Sequence, residues 1–277
     1  MRQHYRYTYT GPVWDLHQRL LMVPRDSYRG QRLLHHDLVV RGTEGDHRLA
    51  WERDEFGNRV ARVNANRVPQ AIDFEATFRL ERTAEPAVDG LPWRNDAERL
   101  AYLRPTALTA PDKRLIGAAL DIAHEAADAA ERAELAQRWA EKAITYQFGI
   151  TGYSTPAAMA LHLGRGVCQD YAHILLAVLR LLNVPARYVS GHLIGEGAPH
   201  AWVEAFVERR DGGVEVIGFD PTHSRRTRLD YLTVAVGRDF ADVSPTSGTY
   251  SGPAIGRLAA TKRAEVLELD GVTAAVA

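Results

Sequence analysis

The chain has 277 residues, 45% of them hydrophobic, 25% charged and only 13 proline, which excludes disordered and fibrous classes and allows a sizeable core. Its 34 basic and 35 acidic residues nearly cancel, so no overall field draws it to nucleic acid or to an anionic membrane. One cysteine excludes an intrachain disulfide and the zinc patterns built on paired cysteines; with no signal-peptide core in residues 1–11 and no long apolar run, a soluble cytoplasmic protein is expected.

Tyr5, Tyr7 and Tyr9 alternate with His4, Arg6, Thr8 and Thr10, the period of two of a half-buried strand. Between Ala50 and Asn64, the run Asp54-Glu55-Phe56-Gly57-Asn58 supplies turn chemistry between two short segments and predicts a hairpin. Ile72, Phe74, Ala76, Phe78 and Leu80 then share one face against Asp73, Glu75, Thr77, Arg79 and Glu81. These patterns predict an N-terminal antiparallel β-sandwich domain over residues 1–105. A linker from about residue 83 is punctuated by Pro86, Gly90, Pro92, Pro105 and Pro111.

Residues 106–277 read as an α+β domain, helices first and an antiparallel sheet after. Leu115, Ile116, Ala119, Leu120 and Ile122 keep helical spacing, and a second helix is expected from about Ala129 to Tyr146. Ser154-Thr155-Pro156 predicts a capped start for a short helix that Gly164 ends. A helix over about Val167 to Leu182 is apolar nearly all round, with Arg180 the lone late charge, and is therefore buried. Strands are expected at Arg187 to Ile194, His200 to Glu208 and Val214 to Asp220, with further ones near Leu232 to Val236 and Leu258 to Leu269.

Cys168 follows the glycine-rich turn Gly164-Arg165-Gly166-Val167 and opens the apolar helix. Unpaired N–H groups and the positive end of the helix dipole favour thiolate there, whereas a lone cysteine elsewhere is a small buried hydrophobe. Downstream, Arg209-Arg210-Asp211-Gly212-Gly213 joins two strands as a tight hairpin. With its turn centred near residue 211, position 200 lies opposite roughly position 222, so His200 and Asp220 reach the same sheet edge. Nucleophile, base and orienting carboxylate then follow in chain order as Cys168, His200 and Asp220.

Gly166-Val167-Cys168-Gln169-Asp170-Tyr171-Ala172-His173, Pro185 through Gly191, His200-Ala201-Trp202-Val203-Glu204 and Gly218-Phe219-Asp220-Pro221-Thr222 together resemble the core of bacterial transglutaminase-like proteins of the cysteine protease subgroup. The tail from Val236 to Val243, with Gly248 to Gly252, resembles that subgroup in particular, and the N-terminal strands resemble its β domain more loosely. The resemblance implies a papain-like core of helices packed on an antiparallel sheet. It implies Cys168 as nucleophile, His200 as general base and then acid, and Asp220 as orienting residue. The implied reaction is acyl transfer from a peptide or glutamine-type amide through a thioester, resolved by water in a peptidase or amidase and by an amine in a transglutaminase. The Cys168 N–H is one oxyanion donor, and Gln169, Tyr153 and Trp202 are candidates for the second or for the cleft wall.

Other histidines read as structural: His173 points about 140° away from the sulfur at ~100° per residue, and His192 lacks an evident partner. His223, beyond the strand end, is a second candidate for the base. No helical pair of histidines and no calcium loop is present in the sequence, so no metal and no cofactor is expected. The partner expected is a peptide or protein amide, with no nucleic acid and no membrane. A catalytically silent peptide-binding module on the same fold is the alternative; a redox switch lacks a resolving cysteine.

Overall fold

A computed structural model describes residues 1–84, 93, 95–209 and 212–267. Alternation dictates its first part. Strand Arg2–Tyr9 buries Tyr5 and Tyr9, and strand Ala71–Arg82 buries Ile72, Phe74, Ala76 and Phe78 while Asp73 and Glu75 bind arginines outside. Each large apolar side chain so buried contributes roughly 1.5–3 kcal/mol. Strands His47–Arg53 and Arg59–Val68 form the expected hairpin, with Arg53 opposite Arg59 and Asp54 Oδ1 accepting the N–H groups of Phe56 and Asn58 across the turn.

Two sheets result, and both borrow from the far end of the chain. Strand Gly256–Arg263 pairs with Arg2–Tyr9, and strand Thr246–Ser251 pairs with Val13–Leu20. Sheet membership therefore crosses the boundary expected at residue 106. Of the strand expected at Leu258 to Leu269, positions 268 and 269 lie outside the described residues, as do residues 85–92 of the proline-marked stretch.

The second half centres on helix Cys168–Leu181, whose Ile174, Leu175, Leu176, Val178 and Leu179 are wholly buried. Helices Lys113–Glu125, Ala129–Ala143 and Ala157–Leu163 pack around it, contributing Leu115, Ala133, Ala136 and Leu161 to one core. Asp112 and Asp128 cap two of them through backbone N–H groups. The third starts differently from the expected Ser154-Thr155 cap: Pro156 holds the cap position without a side-chain bond, and Thr155 Oγ1 instead accepts from Gly152 N–H. Arg180 stays buried because its guanidinium donates to Tyr102 O, Ala186 O, Arg238 O and Thr109 Oγ1.

Behind this helix lies an antiparallel sheet of five strands in the order Arg225–Arg226, Val214–Asp220, His200–Glu208, Ala186–Leu193, Tyr231–Gly237. The strand Tyr231–Gly237 is an edge, and side-chain amides from the β sheets close it. Asn58 donates to Val236 O and accepts from Val236 N, at 2.7 and 2.9 Å, and Gln31 does the same at Thr233, at 2.7 and 3.0 Å. Without them the buried edge would carry unpaired peptide groups. Tyr28, Arg187 and Glu204 add a buried charged cluster across the same junction. Among the described residues no helix is long and apolar enough to cross a membrane.

Candidate active site

The turn before helix Cys168–Leu181 is built around Asp170. Its Oδ2 accepts the Val167 N–H at 2.8 Å and the Thr151 hydroxyl at 2.6 Å, tying the helix start to the preceding loop. Gly166 is obligatory here: a Cβ would stand 2.6 Å from Asp170 Oδ2 and 2.7 Å from its Cβ. Burial pushes the Asp170 carboxyl above its ordinary range, with the Thr151 bond opposing that shift. Cys168 is consequently held at the first helical residue, half-buried, where its own N–H has no intrahelical acceptor.

His200 and Asp220 arrive by strand register. Glu208 pairs with Val214 and Val203 with Phe219, the register that sets 200 across from 222; turn residues 210 and 211 lie outside the described residues. His200 Nε2 lies 2.7 Å from Asp220 Oδ2, and an ionised carboxylate only accepts, so Nε2 carries the proton. The imidazole's other nitrogen, Nδ1, is left free of Asp220 and available to the Cys168 side chain. Burial alone would lower the His200 pKa, but the hydrogen bond to Asp220 and the interaction with Cys168 override it and raise it to about 10. Burial likewise works against ionising Asp220, and the His200 hydrogen bond and charge, helped by Tyr231 and His223, bring its pKa down to about 2.

Asp220 is fully buried and thoroughly bonded. Oδ2 also accepts from the Tyr231 hydroxyl at 2.6 Å and from His223 Nδ1 at 2.8 Å, and Oδ1 accepts the Thr222 N–H at 2.9 Å. His223 is thus a partner of the carboxylate and reaches on to Glu196 Oε1 at 2.9 Å. Trp202, 1% exposed, stacks beneath His200 with ring centroids 6.2 Å apart. Gly191 makes room for it, since a Cβ there would meet the Trp202 ring at 2.5 Å.

The remaining sequence candidates separate by exposure. Gln169 Nε2 reaches Gly152 O at 3.4 Å, and Tyr153 is 76% exposed and stacked on Phe240. His173 is buried, accepts the Phe240 N–H at 3.2 Å, and burial takes its pKa down to about 3, so it is neutral and structural. Burial does the same to His192, beside Lys262 Nζ at 3.4 Å. Sequence reasoning missed Asp170, Tyr231 and Glu196. The Asp-Pro-Thr-His run did carry a signal for His223, because an aspartate opening such a turn accepts N–H groups ahead of it. Tyr231 comes from a different strand, opposite Leu193, and left no local signal.

Comparison with known proteins agrees with this architecture. Residues 117–214 match the model of the transglutaminase-like superfamily, and residues 1–81 match the bacterial transglutaminase-like N-terminal region. The uncharacterized protein ML0607 of Mycobacterium leprae is 31% identical over 89% of this chain and 90% of its own length. The uncharacterized protein Rv2569c of Mycobacterium tuberculosis is 28% identical over 87% of this chain and 84% of its own. Among solved structures, a putative cysteine protease from Cytophaga hutchinsonii superposes with a TM-score of 0.71 at 20% identity, covering 96% of this chain and 91% of that one, a likeness of fold. With an N-terminal β region, a helix-on-sheet core and sequence matches to both, this chain belongs to the transglutaminase-like superfamily.

Proposed function

We propose that this protein is a thiol-dependent acyl-transfer enzyme acting on amides, with Cys168 as nucleophile, His200 as general base and acid, and Asp220 as the residue that orients His200. The observation that carries this reading is His200, bonded through Nε2 to the fully buried Asp220 carboxylate at 2.7 Å and coupled electrostatically to the Cys168 side chain at the helix start. The Cys168 sulfur adds to the amide carbonyl carbon, and the C–N bond breaks as His200 delivers its Nδ1 proton to the departing amine. Water then adds to the thioester while His200 takes its proton, releasing a carboxylic acid and the thiolate. An amine in place of water gives transamidation. Hydrolysis is favoured, because water needs no second binding site.

The oxyanion of each tetrahedral intermediate is served by the Cys168 N–H at the helix start. Exposed aromatic side chains lie on and just after the short strand that pairs with Arg165–Gly166 ahead of Cys168, Tyr146 at 55%, Phe148 at 87% and Tyr153 at 76%, and they suit an extended peptide with apolar side chains. The test is mass spectrometry of the intact protein after exposure to a panel of peptide amides and activated esters. A Cys168-linked acyl adduct that is absent in Cys168→Ala supports the reading. Peptide affinity unchanged in Cys168→Ala, with no adduct from any panel member, replaces it with a binding module.

A further inference from the structure

Three donor side chains converge at the imidazole nitrogen of His200 that Asp220 leaves free. Ligand atoms of Glu196, His200 and His223 lie within 4.8 Å of one another. Glu196 Oε1 stands 2.9 Å from His223 Nε2, and its Oε2 stands 3.7 Å from His200 Nδ1. Each histidine meanwhile turns its far nitrogen to Asp220 Oδ2, at 2.7 Å from His200 and 2.8 Å from His223. That is how metal-binding imidazoles are held: a carboxylate takes the proton of the far nitrogen and leaves a lone pair on the near one.

Two imidazoles and one carboxylate with a fourth position open suit zinc, at about 2.0–2.2 Å per bond. Tetrahedral donors at such lengths stand roughly 3.4 Å apart. The two Glu196 oxygens stand 2.9 and 3.7 Å from the histidine nitrogens, and no two of the three donors are more than 4.8 Å apart, so side-chain adjustments of about 1 Å bring them to that spacing. Glu196 lies between strands Ala186–Leu193 and His200–Glu208 and is partly exposed, as is His223, which gives an ion a way in.

We propose that Glu196, His200 and His223 form a zinc site that reversibly switches the Cys168 centre off. The ion bonds His200 Nδ1, the nitrogen otherwise available to Cys168, and it displaces the protons held at His200 Nδ1 and between Glu196 and His223 to solvent. A zinc-bound His200 cannot move a proton. No oxidant or further ligand is required, and water completes the coordination. A search for histidine pairs on one helix misses the site because its donors come from a loop, a strand start and a turn. Zinc binding stands independently of the acyl-transfer reading; only its inhibitory consequence rests on that reading.

The test titrates the full chain, stripped by chelator, with zinc against a chromophoric chelator, while mass spectrometry follows iodoacetamide alkylation of Cys168. One ion per chain is expected. Affinity falls more than roughly 100-fold in Glu196→Gln and in His223→Ala, since loss of a mere supporting partner already costs about 10–100-fold. Zinc slows alkylation in the wild type relative to its own metal-free rate, and slows it in Glu196→Gln only at correspondingly higher zinc. Glu196 is partly exposed on a loop, and an unchanged unfolding midpoint shows that Glu196→Gln is folded. Less than one ion per chain, or equal affinity in wild type and both variants, overturns the site. Zinc bound as expected in a protein that forms no thioester overturns acyl transfer and leaves the site standing.

Discussion

His200 and His223 share one carboxylate oxygen: both rings bond Asp220 Oδ2, with centroids 5.1 Å apart and planes tilted by 59°. The two are unequal. His200 is buried and coupled electrostatically to Cys168, whereas His223 is exposed and turns to Glu196. On this inequality the proposed proton-transfer role falls to His200 and not to His223. His200→Ala is expected to lower turnover of an activated ester by ~10²–10⁴-fold, the usual contribution of a positioned acid–base group. Alkylation of Cys168 at neutral pH should fall in the same variant. Equal losses from His200→Ala and His223→Ala would contradict the assignment.

The same pair sets a pH profile of stability. His200 has its folded pKa raised to about 10, so its stabilisation is complete below the unfolded value of ~6.5 and is lost as pH rises through about 10. Asp220 has its folded pKa lowered to about 2, so its stabilisation is present above ~3.9 and is lost as pH falls through about 2. Denaturation free energies should therefore decline on the alkaline side from about pH 6.5 to 10 and on the acid side from about pH 4 to 2. Asp220→Asn should flatten both limbs. A variant that keeps the wild-type slopes would show that other groups carry them.

Asp170 controls the helix start that bears the thiol. Asp170→Ala removes the acceptor of the Val167 N–H and of the Thr151 hydroxyl, at an expected cost of about 0.5–2 kcal/mol in urea denaturation. Gly166→Ala should cost about 1–3 kcal/mol, because its methyl group collides with the Asp170 side chain. Both substitutions should also change the rate of Cys168 alkylation at fixed pH.

Asn58 tests the junction between the β sheets and the core. Asn58→Leu leaves the Val236 N–H and C=O buried without partners, each costing about 1–3 kcal/mol. The midpoint in urea should fall accordingly. Asn58→Asp keeps the acceptor for the Val236 N–H but sets an oxygen against Val236 O and Asp54 Oδ2, so it should not rescue the loss; a wild-type midpoint in either variant would show that these bonds carry little.

Much of this was legible along the chain because the information is local. Alternation in residues 71–82 marks a strand whichever sheet it joins, and the all-apolar face of residues 168–181 marks a buried helix. The hairpin closing near residue 211 places His200 and Asp220 together through register alone, an arithmetic any tight turn enforces. What sequence alone left open depends on strands distant in the chain. Pairing of Thr246–Ser251 and Gly256–Arg263 with the first two strands closes the N-terminal sheets from the far end, and a run of exposed residues does not specify which edge it will join. Tyr231 and Glu196 join the site only once the sheet is assembled and the loop after Leu193 folds back. By itself the sequence determined the elements with clear periodicity and the placing of His200 beside Asp220. Tertiary structure alone decided what surrounds them, because contacts between remote segments follow from how edges and faces find one another and not from periodicity.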